Sequence, residues 1–411
     1  MDLSKNNWFR KLVHDLLSEE VLLPLEYMYS DEPVYHIIQP TGLMYGLPTN
    51  SGKATACDKT KEMAKVQLAA SMVNIYKISE QNQSKSKYDH CLKMIYSFYK
   101  GLYPDLTPSA KNWIGKSRDA STLCEIVFDK RISKLIQVDK QNIWSCFFNN
   151  SQLFIDVFLF RLYYIASGDD TLLEYLRQQK DEIAFTSLKV IAAAAHANKK
   201  VVKEERHLFD VFINNKFLSN EKKRIALEYL EHGIGIQKIT MENSDSWVLK
   251  KFFLELAIVT IWSDQVLDDM EIQFIKEFAQ MMELGSADRE LSLLAVEGFF
   301  IEFWNSLNLA ADRLSLDVIQ ESFLNRLNYM ISSYDHEIIR NIKSNEELVC
   351  LFSKASTSEL DSEERFSFNH GLIKAVESLP VFRFIHLPET FLDYKKILKI
   401  LPKKVVQAVL L

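Results

Sequence analysis

Asn198-Lys-Lys-Val201-Val-Lys-Glu-Glu205-Arg-His-Leu-Phe209-Asp-Val-Phe212 returns 66 residues later as Asp264-Gln-Val-Leu267-Asp-Asp-Met-Glu271-Ile-Gln-Phe-Ile275-Lys-Glu-Phe278. The correspondence continues from Leu218 and Asn220 to Leu284 and Ser286. Each copy reads as a helix, a short polar elbow, a second helix and a capped third. A repeat of this period is one helical unit that must be stacked to bury its apolar face. A third, degenerate copy starts near Glu346, where Leu360, Asp361, Glu364 and Phe368 fall at the spacing of Leu267, Asp268, Glu271 and Ile275.

Working outward from the repeat, the prolines set the class. All nine lie in residues 24–108 and 380–402, so residues 109–379 contain none. Apolar residues three and four apart through a proline-free stretch of this length predict packed helices and an all-α chain. Helices are expected over Asn7–Leu17, Lys59–Ile78, Tyr88–Lys100, Ala120–Ile136, Trp144–Ala166 and Asp170–Gln179. Residues 24–55, rich in proline and glycine, read as an extended loop, with Val34–Ile38 the one candidate strand. The polar run Ser79–Lys87 reads as a solvated connection. This gives a multi-domain organisation: an N-terminal helical region with its loop (1–108), a helical segment (109–180), repeat one (181–246), repeat two (247–339), and the degenerate copy with a basic tail (340–411).

Composition is that of a globular protein, with 47% apolar and 25% charged residues. A net charge of −6 makes the chain no bulk attractant for nucleic acid, and no nucleic-acid partner is expected. Residues 381–411 are the exception: Arg383, Lys395, Lys396, Lys399, Lys403 and Lys404 stand against Glu389 and Asp393. Cys57, Cys91, Cys124, Cys146 and Cys350 are odd in number and spread out, which reads as buried, reduced thiols in a cytoplasmic protein. Met1–Leu17 has no signal-peptide core. The most apolar run, Leu153–Ala166, is broken by Asp156 and Arg161 and reads as a core helix, too short to span a bilayer.

No catalytic constellation or cofactor motif emerges. The acidic elbow Asp264–Glu271 has Val266 and Asp269 where an EF-hand calcium loop needs an oxygen ligand and a glycine. Lys199, Lys200 and Lys203 occupy the other elbow. The expected role is capping: Asp268 caps the next helix and Glu271 reaches back, as do Asp361 and Glu364. Val201 and Leu267 then plug the core. Gly46–Lys53 lacks the spacing and the Ser or Thr of a phosphate loop, and His336–Arg340 lacks the second histidine of a zinc-protease helix. The aromatics of Phe147–Tyr164 and Phe299–Trp304 read as core, with an apolar groove for a lipid or partner helix as the alternative. At the C-terminus, Phe391, Tyr394, Leu398, Leu401 and Val405 line one face of a basic amphipathic helix. Lys395, Lys396, Lys399 and Lys403 lie off it as candidate surface-binding residues. Such a helix suits an anionic membrane surface or docks on the protein's own body.

The doubled elbow resembles the TerB-like (tellurite-resistance) helical fold, whose loops read Asp-Gly, an aliphatic, then Glu. Asp264, Leu267 and Glu271 match that order, as do Asn198, Val201 and Glu205; Gln265 and Lys199 stand at the glycine. The tail resembles the leucine-zipper and EF-hand transmembrane family, an inner-membrane cation-homeostasis group. Pro388, Lys399, Ile400, Leu401, Pro402 and Lys403 fall at its spacing, while Glu389 and Thr390 replace two glycines, and Asp393, Lys395 and Lys396 interrupt the membrane span. The chain is thereby similar to bacterial biofilm-associated proteins related to that family. The resemblance implies a non-enzymatic helical interaction module linked to biofilm or envelope function, with a protein partner and peripheral contact at the inner membrane. Alternatives are a divalent-metal-binding component of cation or envelope-stress homeostasis, and an apolar-ligand carrier or enzyme with a pocket between aromatic helices.

Overall fold

Three pairs of helix boundaries lie at the offset of the sequence pattern. α7 (Leu173–Ala195) and α10 (Trp247–Ile261) end 66 residues apart. So do the starts of α8 (Lys203–Ile213) and α11 (Asp269–Met281), and of α9 (Asn220–His232) and α12 (Ser286–Phe303). The computed structural model describes residues 7–18, 32–45, 60–79, 87–109, 117–135, 143–166, 169–214, 218–240, 245–264, 268–304, 313–382, 385, 387–388 and 391–410. Among these the chain is all-α, with no strand. It divides into two units, one of Met1–Asp264 with Asp268–Phe274, the other of Gln265–Leu267 with Ile275–Leu411.

The first unit opens with α1 (Trp8–Ser18) and α2 (Glu32–Ile38), then α3 (Thr60–Ser79), α4 (Lys87–Leu102), α5 (Ala120–Leu135) and α6 (Ile143–Ile165). α1, α3, α4 and α5 pack on one another, and α3 and α4 on α6. α6 packs in turn on α7 and α8. α7 and α10 form the deepest pair. Leu176, Ile183, Leu188 and Ile191–Ala195 of α7 are buried, as are nearly all residues of α10, Lys251 and Glu255 among them. The alanine run 192–195 removes side-chain bulk and lets neighbours approach. Ser219 and Ser246 cap α9 and α10, their hydroxyls accepting from the Lys222 and Leu249 amides at 3.2 Å.

Residues 32–45 correct the expectation of an extended loop with a strand at Val34–Ile38. They form α2 and two 3₁₀ turns, Gln39–Thr41 and Leu43–Tyr45. Pro33 occupies the first helical turn, where its fixed φ helps and its missing N–H is not needed. Val34, Tyr35 and Ile38 then fall on one buried face. Loop composition misled because proline at a helix start and proline in a loop look alike in sequence. Residues 46–59, with Gly46–Lys53 and Cys57, lie outside the described residues, as do 80–86 of the polar connection.

The second unit contains α12, α13 (Arg313–Ile331), α14 (Asp335–Lys343), α15 (Glu346–Thr357), α16 (Ser362–Glu377), α17 (Tyr394–Ile400) and α18 (Lys403–Leu410). α15 and α16 pack closely because Gly371 has no side chain: a Cβ there would meet Leu348 Cδ1 at 2.8 Å. Two of the expected boundaries, 180/181 and 339/340, fall inside the continuous helices α7 and α14, where neither proline nor glycine interrupts the backbone. Phe154, Phe158, Phe160, Tyr163, Phe299, Phe300 and Trp304 are buried as expected, Phe154 stacking on Phe252 at 4.7 Å. Cys91 and Cys124 are buried free thiols, whereas Cys350 is exposed on α15, a correction to the expectation that all five are buried.

The single amphipathic C-terminal helix is also corrected. Asp393 N-caps α17 through the Lys396 amide (2.9 Å), and Pro402 separates α17 from α18. Breaking the helix there rotates the buried face. Ile397, Ile400, Leu401, Val405 and Val409 are buried, while Leu398 is only half-buried. α17 docks on α13 and α16, and α18 on α14 and α15.

Candidate functional site

The two elbows of the first unit meet. In the first, the Val202 amide donates to Glu205 Oε2 at 2.9 Å. In the second, the Asp268 amide donates to Glu271 Oε2 and the Glu271 amide to Asp268 Oδ1, each at 2.9 Å. The expected capping by Asp268 and Glu271 is therefore present, and Asp361 with Glu364 repeats it at the start of α16. A hydrogen bond joins the elbows: Asn198 Nδ2 donates to Glu271 Oε1 at 2.9 Å. Glu205 and Glu271 are each 1% exposed, so their carboxylates depend on these N–H donors. Among the described residues, no group of three His, Cys, Asp or Glu side chains is placed to hold a metal ion. Leu267 lies outside the described residues, and Val201 is half-buried.

Two buried polar clusters in the same unit escaped sequence reasoning. In one, Asp156 of α6 accepts from Arg131 Nε at 2.6 Å and Nη2 at 2.9 Å, from Tyr99 at 3.4 Å, and from Tyr103. Burial works against the Arg131 charge, but the Asp156 carboxylate outweighs it and holds the guanidinium above its ordinary range. Burial raises the Tyr99 and Tyr103 phenols, with Asp156 adding to the effect. Lys180 of α7 lies over the Tyr103 ring at 4.2 Å; burial, then Arg131, pushes its ammonium down to about 7. In the second cluster, Glu255 of α10 accepts from Tyr35 at 2.5 Å and Tyr45 at 2.7 Å, with Lys251 Nζ at 3.7 Å. This pins residues 32–45 onto α10. Sequence carried one trace of the first cluster, Asp156 interrupting an apolar run; its partner Arg131 is on another helix.

In the second unit Glu297 is fully buried and accepts from Ser322 at 2.8 Å, with Arg326 Nε at 3.3 Å. Burial raises its carboxyl against the pull of Arg326. The expected surface-binding lysines split into two groups. Lys396 bonds Asp393 and the Phe391 carbonyl, each at 2.8 Å; Lys404, outside that set, pairs with Asp335 and stays exposed. Lys395, Lys399 and Lys403 are exposed. Lys395 and Lys399, four apart on α17, share a face. His336 and Arg340 are exposed on α14, a solvated helix face as expected. No helix among the described residues is long and apolar enough to cross a membrane.

Comparisons with protein-family models, with curated proteins and with solved structures find no match to this chain.

Proposed function

We propose that this protein is a non-enzymatic helical interaction module, cytoplasmic and peripheral at the inner membrane, that presents a basic face to an anionic surface. The observation that carries the reading is the outward set Lys395, Lys399 and Lys403, left exposed once α17 and α18 have buried their apolar sides. The buried acids and bases support a structural role rather than a catalytic one. Glu205, Glu271, Glu255 and Asp156 are each committed to hydrogen bonds inside the unit. The matching helix boundaries, 66 residues apart, support a duplicated helical unit. The TerB-like resemblance gains support from Lys199, whose φ of +64° is left-handed at the position where that fold reads glycine. Biofilm or envelope function rests on the resemblance alone.

The test is co-sedimentation with vesicles containing anionic phospholipid. Basic residues near such a surface contribute about 1 kcal/mol each. Weak binding to such vesicles that falls as salt is raised, and is abolished by replacing Lys395, Lys399 and Lys403 with Glu, is expected. Binding unchanged by that triple replacement, or none at low salt, overturns the basic-face reading. Detergent-dependent recovery resistant to alkaline wash would favour insertion. A melting temperature unmoved by calcium or manganese is expected; a saturable shift lost in Asp264→Ala would favour the cation-homeostasis alternative.

A further inference from the structure

The Tyr103 ring has two cations against it in the interior of the first unit. Arg131 Cζ lies 4.3 Å from its centroid and Lys180 Nζ 4.2 Å. Lys180 is 6% exposed, Arg131 3% and Asp156 0%. The hydrogen bonds to Asp156 come from Arg131, Tyr99 and Tyr103. The groups facing Lys180 include Tyr103, just after α4, Asp105 from the 3₁₀ turn Pro104–Leu106, Arg131 from α5 and Asp156 from α6. On its own helix, Arg177 turns to Glu174 and the Gly101 carbonyl, and Asp181 to Lys222. Burial in low dielectric with a neighbouring guanidinium disfavours a second positive charge. The attraction of Asp156 and Asp105 for Lys180 is outweighed.

We propose that the docking of α7 on α4, α5 and α6 is coupled to loss of a proton from Lys180, so that this helix is held more firmly in mildly alkaline conditions than in acidic ones. The proton leaves to solvent as α7 closes and returns as it opens. The docked amine sheds its proton near 7, the freed one near its ordinary 10.5. Below about 7 both forms are charged and the penalty of burying the ammonium is present in full. Between the two values the open form holds the extra proton, so docking strengthens about tenfold per pH unit. Above 10.5 both forms are neutral and the dependence ends.

Native-state hydrogen exchange of the full chain, followed by mass spectrometry on peptides covering α7 and α4, tests this from pH 6 to 9 with intrinsic exchange rates divided out. Opening of α7 should be flat below pH 7 and fall about tenfold per unit above it. In Lys180→Met, which keeps the apolar stem, that slope should vanish. A flat profile in the unaltered protein, or the same slope in Lys180→Met, overturns the proposal. Should Lys180→Met fail to fold, carbon-13 labelling of lysine Cε decides. One resonance titrating near neutrality and absent in Lys180→Arg supports the coupling; all lysines titrating above 9 refutes it.

Discussion

The paired elbows and the Arg131–Asp156 cluster both bury carboxylates in the first unit, yet by different means. Glu271 is held by the backbone of its own turn, three residues away, plus one amide from Asn198. Among the described residues, Asp156 is held by side chains, from Tyr99 and Tyr103 on or just after α4 and from Arg131 on α5, 25 to 57 residues away. A carboxylate satisfied by local N–H groups keeps much of its support when one partner is removed. One satisfied by a buried guanidinium leaves an uncompensated charge when its pair is broken. The difference separates a turn-forming device from one that fixes how helices pack.

The largest expected effect is on the cluster. Asp156→Ala should destabilise the first unit by about 3–5 kcal/mol, because it strands the Arg131 guanidinium in the core. Chemical denaturation with tryptophan fluorescence checks this. A loss below about 1 kcal/mol would mean water or rearrangement rescues Arg131, and the contrast with the elbows would collapse. Double replacement Arg131→Met with Asp156→Leu should recover much of the loss, since it removes both charges together.

The elbow effects should be smaller. Glu271→Ala should cost about 0.5–2 kcal/mol, in the range of other lost caps. Pairing it with Asn198→Ala in a double-mutant cycle measures the link between elbows, expected at about 0.5–1.5 kcal/mol for a single hydrogen bond. Zero coupling would show the elbows to be energetically separate despite the 2.9 Å contact. The smallest effect is a gain. Lys199→Gly should raise stability by about 0.5 kcal/mol, since relief of left-handed strain slightly exceeds the entropy of an added glycine. A decrease would mean the Lys199 side chain contributes more than its backbone strain removes.

The elbows were legible because their hydrogen bonds close within three residues. A Glu three positions after the cap is a sequence pattern, and Glu271 and Glu364 fulfil it. The C-terminal lysines were legible as basic residues, but which of them stay outward was not. Pro402 ends α17, the buried face turns to Ile397 and Ile400, and Lys396 is taken up by Asp393. Tyr35, Tyr45 and Glu255 left no pattern at all, because they lie about 210 to 220 positions apart.

The sequence by itself determined the all-α class, the elbows and their caps, and a 66-residue offset that three pairs of helix boundaries share. Each follows from period, proline placement and bonds spanning a few residues, which depend on neighbours along the chain. Tertiary structure alone decided that Asn198 meets Glu271, that Arg131, Tyr103, Asp156 and Lys180 converge, and that the tail docks as two short helices. These depend on which faces pack together, and a buried charge finds its partner only when distant helices bring one within reach.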